Sequence, residues 1–392
     1  MFRSVQLKRL EEIKMFGLNS DRFRFVTLLV ALVAVLALTR TCAGARRQQC
    51  QCTDGRLVDS IDECLQTADD GNGETVQTST TDTQDNGDSG TMTESETAAD
   101  FWPSRWGADD QAGSSNWITA EKVLEAANLI ETGDIYELGR QYRHGMPLFG
   151  TRTYSLTIPG APTGGPFPGG LIYHDEFIVG ELGQVGTQFD GLGHVGYIHN
   201  GVERFYNGLT EDEIMGGYGL QQLGVEQIKP IFARGILIDI AGYKGEMLDA
   251  GTVVTMEDVN GALEAQGMSE DDITDGDVVL FHYGWGDLWG VDDDRYNAGA
   301  PGIGLEVGKW LSGQNITLVG ADTWPVEVVP GVDDADAFPV HKHLLAENGI
   351  LIHENLDLGT LADDEVYEFA YIFVRVPFKG GTGSPGSPIA VK

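Results

Sequence analysis

The sequence predicts a mixed α/β fold with a substantial sheet, and three observations carry that reading. Apolar runs of strand length recur through the second half of the chain. Helix-start signatures stand among them, so strands and helices alternate in an irregular order. The segment 148–219 holds 17 glycines and few helix signals, which predicts loops and short strands there.

In chain order, Thr119 stands before a stretch, 120–130, whose apolar residues fall at helical spacing. Thr210 and Glu213 read as a capping box, and Thr255 with Asp258 as a shorter-armed version of one. Strands are expected at 235–240 (GILIDI), 278–283 (VVLFHY), 316–322 (ITLVGAD), 349–354 (GILIHE) and 368–376 (EFAYIFVRV). No internal repeat is evident.

A chain of 392 residues has room for one large catalytic unit with attachments. Its 25 Lys and Arg against 60 Asp and Glu give a net charge of −35. Residues 1–50 carry nine basic and three acidic side chains, residues 51–100 one and thirteen, and the remainder 15 and 44. So acidic a body repels phosphate backbones and anionic lipid surfaces, which excludes nucleic-acid binding. With 41% hydrophobic residues, global disorder is excluded as well.

The first hundred residues read as address and tether. Phe25 to Leu38 form an apolar run of fourteen behind Arg22 and Arg24, too short to span a bilayer but suited to a signal-peptide core. Ala43-Gly44-Ala45 supplies a small-residue cleavage site. Residues 1–45 are therefore expected to be a signal peptide of a periplasmic or secreted protein, with an uncleaved N-terminal membrane anchor as the alternative. Translation from Met15 would give a leader of ordinary length. All four cysteines precede residue 65, and cleavage leaves Cys50, Cys52 and Cys64 in a short segment, 46–64, where one disulfide such as Cys52–Cys64 is expected. Residues 65–100 hold nine acids, twelve Ser or Thr and no Lys or Arg, the composition of a solvated linker. The catalytic domain is expected at 101–392.

Chemistry-bearing residues concentrate in two places. Gln184, Gln188, Asp190 and His194 stand in a glycine-rich stretch that could aim all four inward, and Asp with His suits a divalent metal. His341 and His343 lie in a helical stretch ahead of Glu354, which ends a strand-like run. Spacing alone leaves open whether these are metal ligands or a structural histidine and a helix-capping aspartate.

The stretch from Gln184 to His194 resembles the His-x-Gly-Thr-His-x-Asp-x-x-x-His signature of the cyclase family of metal-dependent hydrolases, which includes bacterial kynurenine formamidase and isatin hydrolase. The likeness covers most of 104–392. Arg105-Trp106-Gly107 before Asn116, Gly284-Trp285-Gly286, Gly320-Ala321-Asp322-Thr323-Trp324 and the tail from Lys379 to Ala390 match in order. The resemblance implies a swivelling β/β/α fold in a single large catalytic domain, and a homodimer or larger homo-oligomer.

The first two motif histidines stand here as Gln184 and Gln188, so the resemblance implies one metal site where two-metal relatives have two. It assigns the ligands of one divalent ion, Zn²⁺ or Mn²⁺, to Asp190, His194, His341 and Glu354. His341 is preferred to His343 because it fits the family's His-x-x-Leu-Leu order. Metal-activated hydrolysis of an amide, a cyclic amide or imide, or an ester follows, with His194 or Glu354 moving protons. Gln184, Gln188, Trp285 and Trp324 are the expected substrate-binding residues. A metal-dependent lyase, dehydratase or cyclase and a metal-free binding homologue are the alternatives.

Overall fold

The computed structural model describes residues 101–333 and 335–392, together with the backbone of a short strand pair, Cys50–Gln51 against Leu57–Val58. The expected leader at 1–45, most of the segment 46–64 with its cysteine pairing, and the linker at 65–100 lie outside the described residues.

Strands with unbroken apolar runs can be covered on both faces, and the sheet uses this. Its nine strands are β1 (Ile135–Glu137), β2 (Gln188–Asp190), β3 (Ile231–Asp239), β4 (Val278–His282), β5 (Leu318–Ala321), β6 (Leu351–Glu354), β7 (Glu368–Phe373), β8 (Gly383–Pro385) and β9 (Ile389–Val391). They lie in the order β8-β2-β6-β5-β4-β3-β7-β9-β1. The four central strands β6, β5, β4 and β3 run parallel, and every outer pairing is antiparallel.

Side-chain alternation sorts the strands into two cores. Ile236, Ile238, Val279, Phe281, Val319 and Ile352 face one side with the helical residues Val259, Leu263, Val307 and Leu344. Leu237, Leu280, Leu318 and Leu351 face the other with Phe369, Tyr371 and Phe373. Each expected strand forms. The run at 235–240 extends back to Ile231 and stops at Asp239, whose carboxylate accepts from the Gly242 N–H and caps a short helix, Ile240–Lys244.

The expected helix starts also form. Helix α1 (Ala120–Ala127) opens with the Thr119 side chain accepting from the Lys122 N–H, and it ends earlier than the apolar pattern does. Both capping boxes close, one on the single turn Glu211–Ile214 and one on α2 (Met256–Ala265). Helix α3 (Leu305–Gly313) precedes β5. Pro339 starts α4 (Pro339–His341), which continues as a π-helical stretch through Lys342–Glu347. Gly349, at φ 65° just beyond it, turns the chain into β6. The glycine-rich segment is short strands and loops, including an exposed hairpin, Tyr154–Thr157 against Phe177–Gly180. No helix among the described residues is long and apolar enough to cross a membrane.

One buried ionic network ties α1 to the sheet. Asp277 has no solvent exposure and accepts from Lys122 Nζ at 2.8 Å, Arg234 Nη1 at 3.0 Å and the Thr274 N–H at 2.9 Å. Removing that carboxylate takes away the one fully buried partner of two largely buried cations, whose remaining carboxylates, Glu125 for Lys122 and Glu368 for Arg234, are 45% and 41% exposed. Asp277→Ala is expected to cost about 3–5 kcal/mol in chemical denaturation; a loss below about 1 kcal/mol would contradict this account.

Candidate functional site

Strand periodicity places the site. Gln188 and Asp190 are two apart on β2, so both leave the same face while Phe189 leaves the other. On the neighbouring β6, Glu354 pairs directly with Gln188, and Ile352 with Asp190. Three polar side chains thus share a patch on the face that α4 covers, and α4 delivers His341 to them. His353, on the opposite face, bonds the Tyr371 hydroxyl at 2.7 Å and packs against Phe189 and Phe373. It takes no part in the site.

One ligand-type atom each from Asp190, His341 and Glu354 lies within 4.8 Å of the others, and all three residues are buried. His341 is held from both ring nitrogens: Nδ1 lies 2.6 Å from Glu327 Oε1 and Nε2 lies 3.1 Å from Glu354 Oε1. Gln188 Nε2 donates to the other Glu354 oxygen at 2.6 Å. His194 follows β2 in a tight turn, with Nε2 at 3.9 Å from Asp190 Oδ2, and its side chain remains 22% exposed. These groups form the floor of a cavity of about 330 Å³, walled by Phe149, Trp324, Phe338 and Tyr197.

The electrostatics of the floor are unusual. Burial pushes the Asp190 carboxyl up to about 6, with the neighbouring His194 opposing the rise. Burial alone would lower His341, but the Glu327 and Glu354 carboxylates outweigh it and hold the imidazole well above the ordinary histidine range. Burial holds His194 below that range despite the nearby Asp190.

A cation fits this donor set. Both oxygens of Asp190 are buried without a hydrogen-bond partner among the described residues, an arrangement that is costly unless a positive charge faces them. Two carboxylates and one imidazole within mutual reach suit a divalent ion. His194, with Nε2 at 3.9 Å from Asp190 Oδ2, stands on the solvent side of these three and outside their mutual reach. The Glu327 carboxylate behind His341 Nδ1 is the outer partner that metal-ligating histidines require.

Of the expected site residues, the structure brings together Asp190, His194, His341, Glu354, Gln188 and Trp324 at one cavity. His343 is elsewhere, bonded to Ser312 and Glu347. Two of the expected substrate-binding residues are not there. Gln184 belongs to a short 3-10 turn, with Nε2 3.5 Å from Thr382 Oγ1, and does not line the cavity. Trp285 is 1% exposed, donates to the Tyr296 carbonyl and belongs to the core, because Asp322 accepts from the Gly286 N–H and fixes that turn inward. Sequence reasoning missed Glu327, Phe149 and Phe338. A lone acid between Val326 and Val328 was the available signal for Glu327, since a carboxylate in so apolar a run needs a buried partner.

Glu327 also accepts from the Val340 and His341 N–H groups, so it fixes both the helix start and the ring. Glu327→Gln is expected to weaken binding of Zn²⁺ by about 10- to 100-fold in calorimetry, with circular dichroism unchanged. Unaltered affinity would show that His341 needs no such support.

The family model described as "Putative cyclase" matches residues 136–328, a span that includes Asp190 and His194 and ends before His341 and Glu354. A search of curated proteins finds no match. Among solved structures, one titled a novel cyclase is 33% identical, with a TM-score of 0.64, over 73% of this chain and 98% of its own. Isatin hydrolase A from Ralstonia solanacearum is 19% identical, with a TM-score of 0.51, over 70% of this chain and 98% of its own. The second likeness is one of fold, a mixed α/β domain around a curled sheet. The first is close and extensive enough to give kinship: this chain belongs to the cyclase family.

Proposed function

We propose that the protein is a metal-dependent hydrolase acting on the carbonyl of an amide, a cyclic amide or imide, or an ester. The observation that carries this reading is the pair of unpartnered, buried Asp190 oxygens facing His341 and Glu354 at the floor of an apolar-walled cavity. The fold is shared with an isatin hydrolase, so ring opening of a cyclic amide is the first reaction to test.

When bound, Zn²⁺ or Mn²⁺ supplies Lewis-acid polarisation of the carbonyl and acidifies the attacking water. Asp190, His341 and Glu354 would hold the ion. Gln188 keeps Glu354 in a fixed rotamer by donating to one of its oxygens. With one Glu354 oxygen accepting from Gln188 and the other given to the ion, its carboxylate is poorly placed to carry protons. His194 is better placed: it reaches the cavity, keeps some exposure and is held in its neutral, proton-accepting form by burial. It takes the proton from the attacking water and returns it to the leaving nitrogen or oxygen. Phe149 and Trp324 stack on each other at 4.3 Å and make the cavity wall beside the substrate apolar.

The test uses full-length protein loaded with Zn²⁺ or Mn²⁺ and a panel of lactams, imides, formamides and lactones in ¹⁸O-water. Hydrolysis places the label in the product acid; an unlabelled product would indicate elimination and contradict the reading. His194→Ala is expected to lower kcat by about 10²- to 10⁴-fold while retaining metal, whereas Asp190→Ala loses both. Metal loss in His194→Ala equal to that in Asp190→Ala would make His194 a ligand instead.

A further inference from the structure

We infer that Arg152 makes the cavity selective for substrates that carry a carboxylate on a planar apolar body. The inference rests on the reading of this cavity as the substrate site and adds the class of substrate it takes.

Arg152 lines the same cavity as Asp190, His194 and Trp324. Among the described residues, its guanidinium has no hydrogen-bond acceptor and no ion-pair partner. Every other described arginine has one: Arg105 with Asn315, Arg140 with Asp357, Arg143 with Asp293, Arg204 with the Gly208 carbonyl, Arg234 with Asp277, Arg295 with Asp249 and Arg375 with the Val225 carbonyl. The second cation of the cavity, Lys342, is neutralised by Asp336 at 2.7 Å. In a chain with 60 acids and 25 bases, an arginine at a cavity wall that neither donates to an acceptor nor forms an ion pair among the described residues, though its charge reaches Asp190 and Glu181, calls for an explanation.

The guanidinium is also positioned. Its central carbon lies 5.5 Å from the centroid of Phe149, the ring that stacks on Trp324 with an interplanar angle of 16°. Stacking on an aromatic ring orients the planar fork and leaves its N–H edge open to a bidentate acceptor. A planar molecule packed on the cavity wall beside the stacked Phe149 and Trp324 would bring a carboxylate within reach of that edge. The surface field of so acidic a protein repels anions, so recognition of one requires a dedicated local cation.

The inference is tested with two probes of the same shape, phenylacetate and phenylacetamide, titrated calorimetrically into the full-length zinc-loaded protein at low salt. Wild type is expected to prefer the carboxylate by about 10- to 100-fold, the worth of a charge-assisted hydrogen-bonded pair. Arg152→Gln should bring the ratio of the two affinities close to one, and Arg152→Lys should leave it intermediate. A preference that survives in Arg152→Gln would place the carboxylate on the metal and overturn the inference, as would no preference in wild type. Turnover of the amide panel separates the two readings. A flat ratio in protein that hydrolyses amides defeats only the assignment of Arg152. A ratio that collapses in Arg152→Gln, in protein that hydrolyses nothing, upholds Arg152 and defeats the hydrolase.

Discussion

Asp190 carries two buried carboxylate oxygens that accept no hydrogen bond among the described residues, on a strand hydrogen-bonded on both sides. A strand in that position cannot rotate its side chain out to water without losing its pairing to β6 and β8. The fold therefore commits this carboxylate to the interior, where burial raises its pKa toward about 6. Much around it follows from that commitment. His341 supplies nearby positive charge, with Nε2 at 3.9 Å. Glu327 and Glu354 hold the imidazole from both sides, and Gln188 holds Glu354. The outcome is a chain of alternating carboxylate and nitrogen donors with one gap, at Asp190, for a cation.

The sheet makes this chain rigid. β6 is the last of four parallel strands, and β2 crosses antiparallel on its free edge, so Glu354 and Asp190 come from neighbouring strands with fixed register. α4 enters over the same edge because Pro339 starts it and Glu327 caps it. The cavity walls come instead from loops, with Phe149 from the glycine-rich segment and Phe338 from the turn before α4. Rigid ligands under loop-built walls are the division of labour expected where chemistry is fixed and specificity varies.

Much of this was legible in the residues, and the rest was hidden for physical reasons. Apolar runs and capping boxes report local preferences that tertiary packing here reinforces, so the central strands and α2 fall where the sequence puts them. The ligand set came from a resemblance: spacing could not tell a buried Asp190 from a helix cap. Gln184 misled because a motif position was assumed to keep its direction once its imidazole was gone; its turn instead packs against Thr382 and Gly383. Trp285 was expected with Trp324 at the substrate, whereas Asp322 accepts from the Tyr283 and Gly286 N–H groups and holds that turn in the core. Glu327 and Phe149 act through pairings across the fold, with His341 and Trp324, which a single sequence does not display.

Among the described residues one buried group, Asp190, His341 and Glu354, stands within mutual ligating reach, while Gln188 is engaged by Glu354 and Gln184 does not line the cavity. The most direct measurement is the metal content of full-length protein after saturation with Zn²⁺ and exhaustive dialysis, set beside Asp190→Asn. This account predicts close to one ion per subunit in the natural protein and close to none in the variant. Two ions per subunit, or an undiminished content in Asp190→Asn, would contradict it.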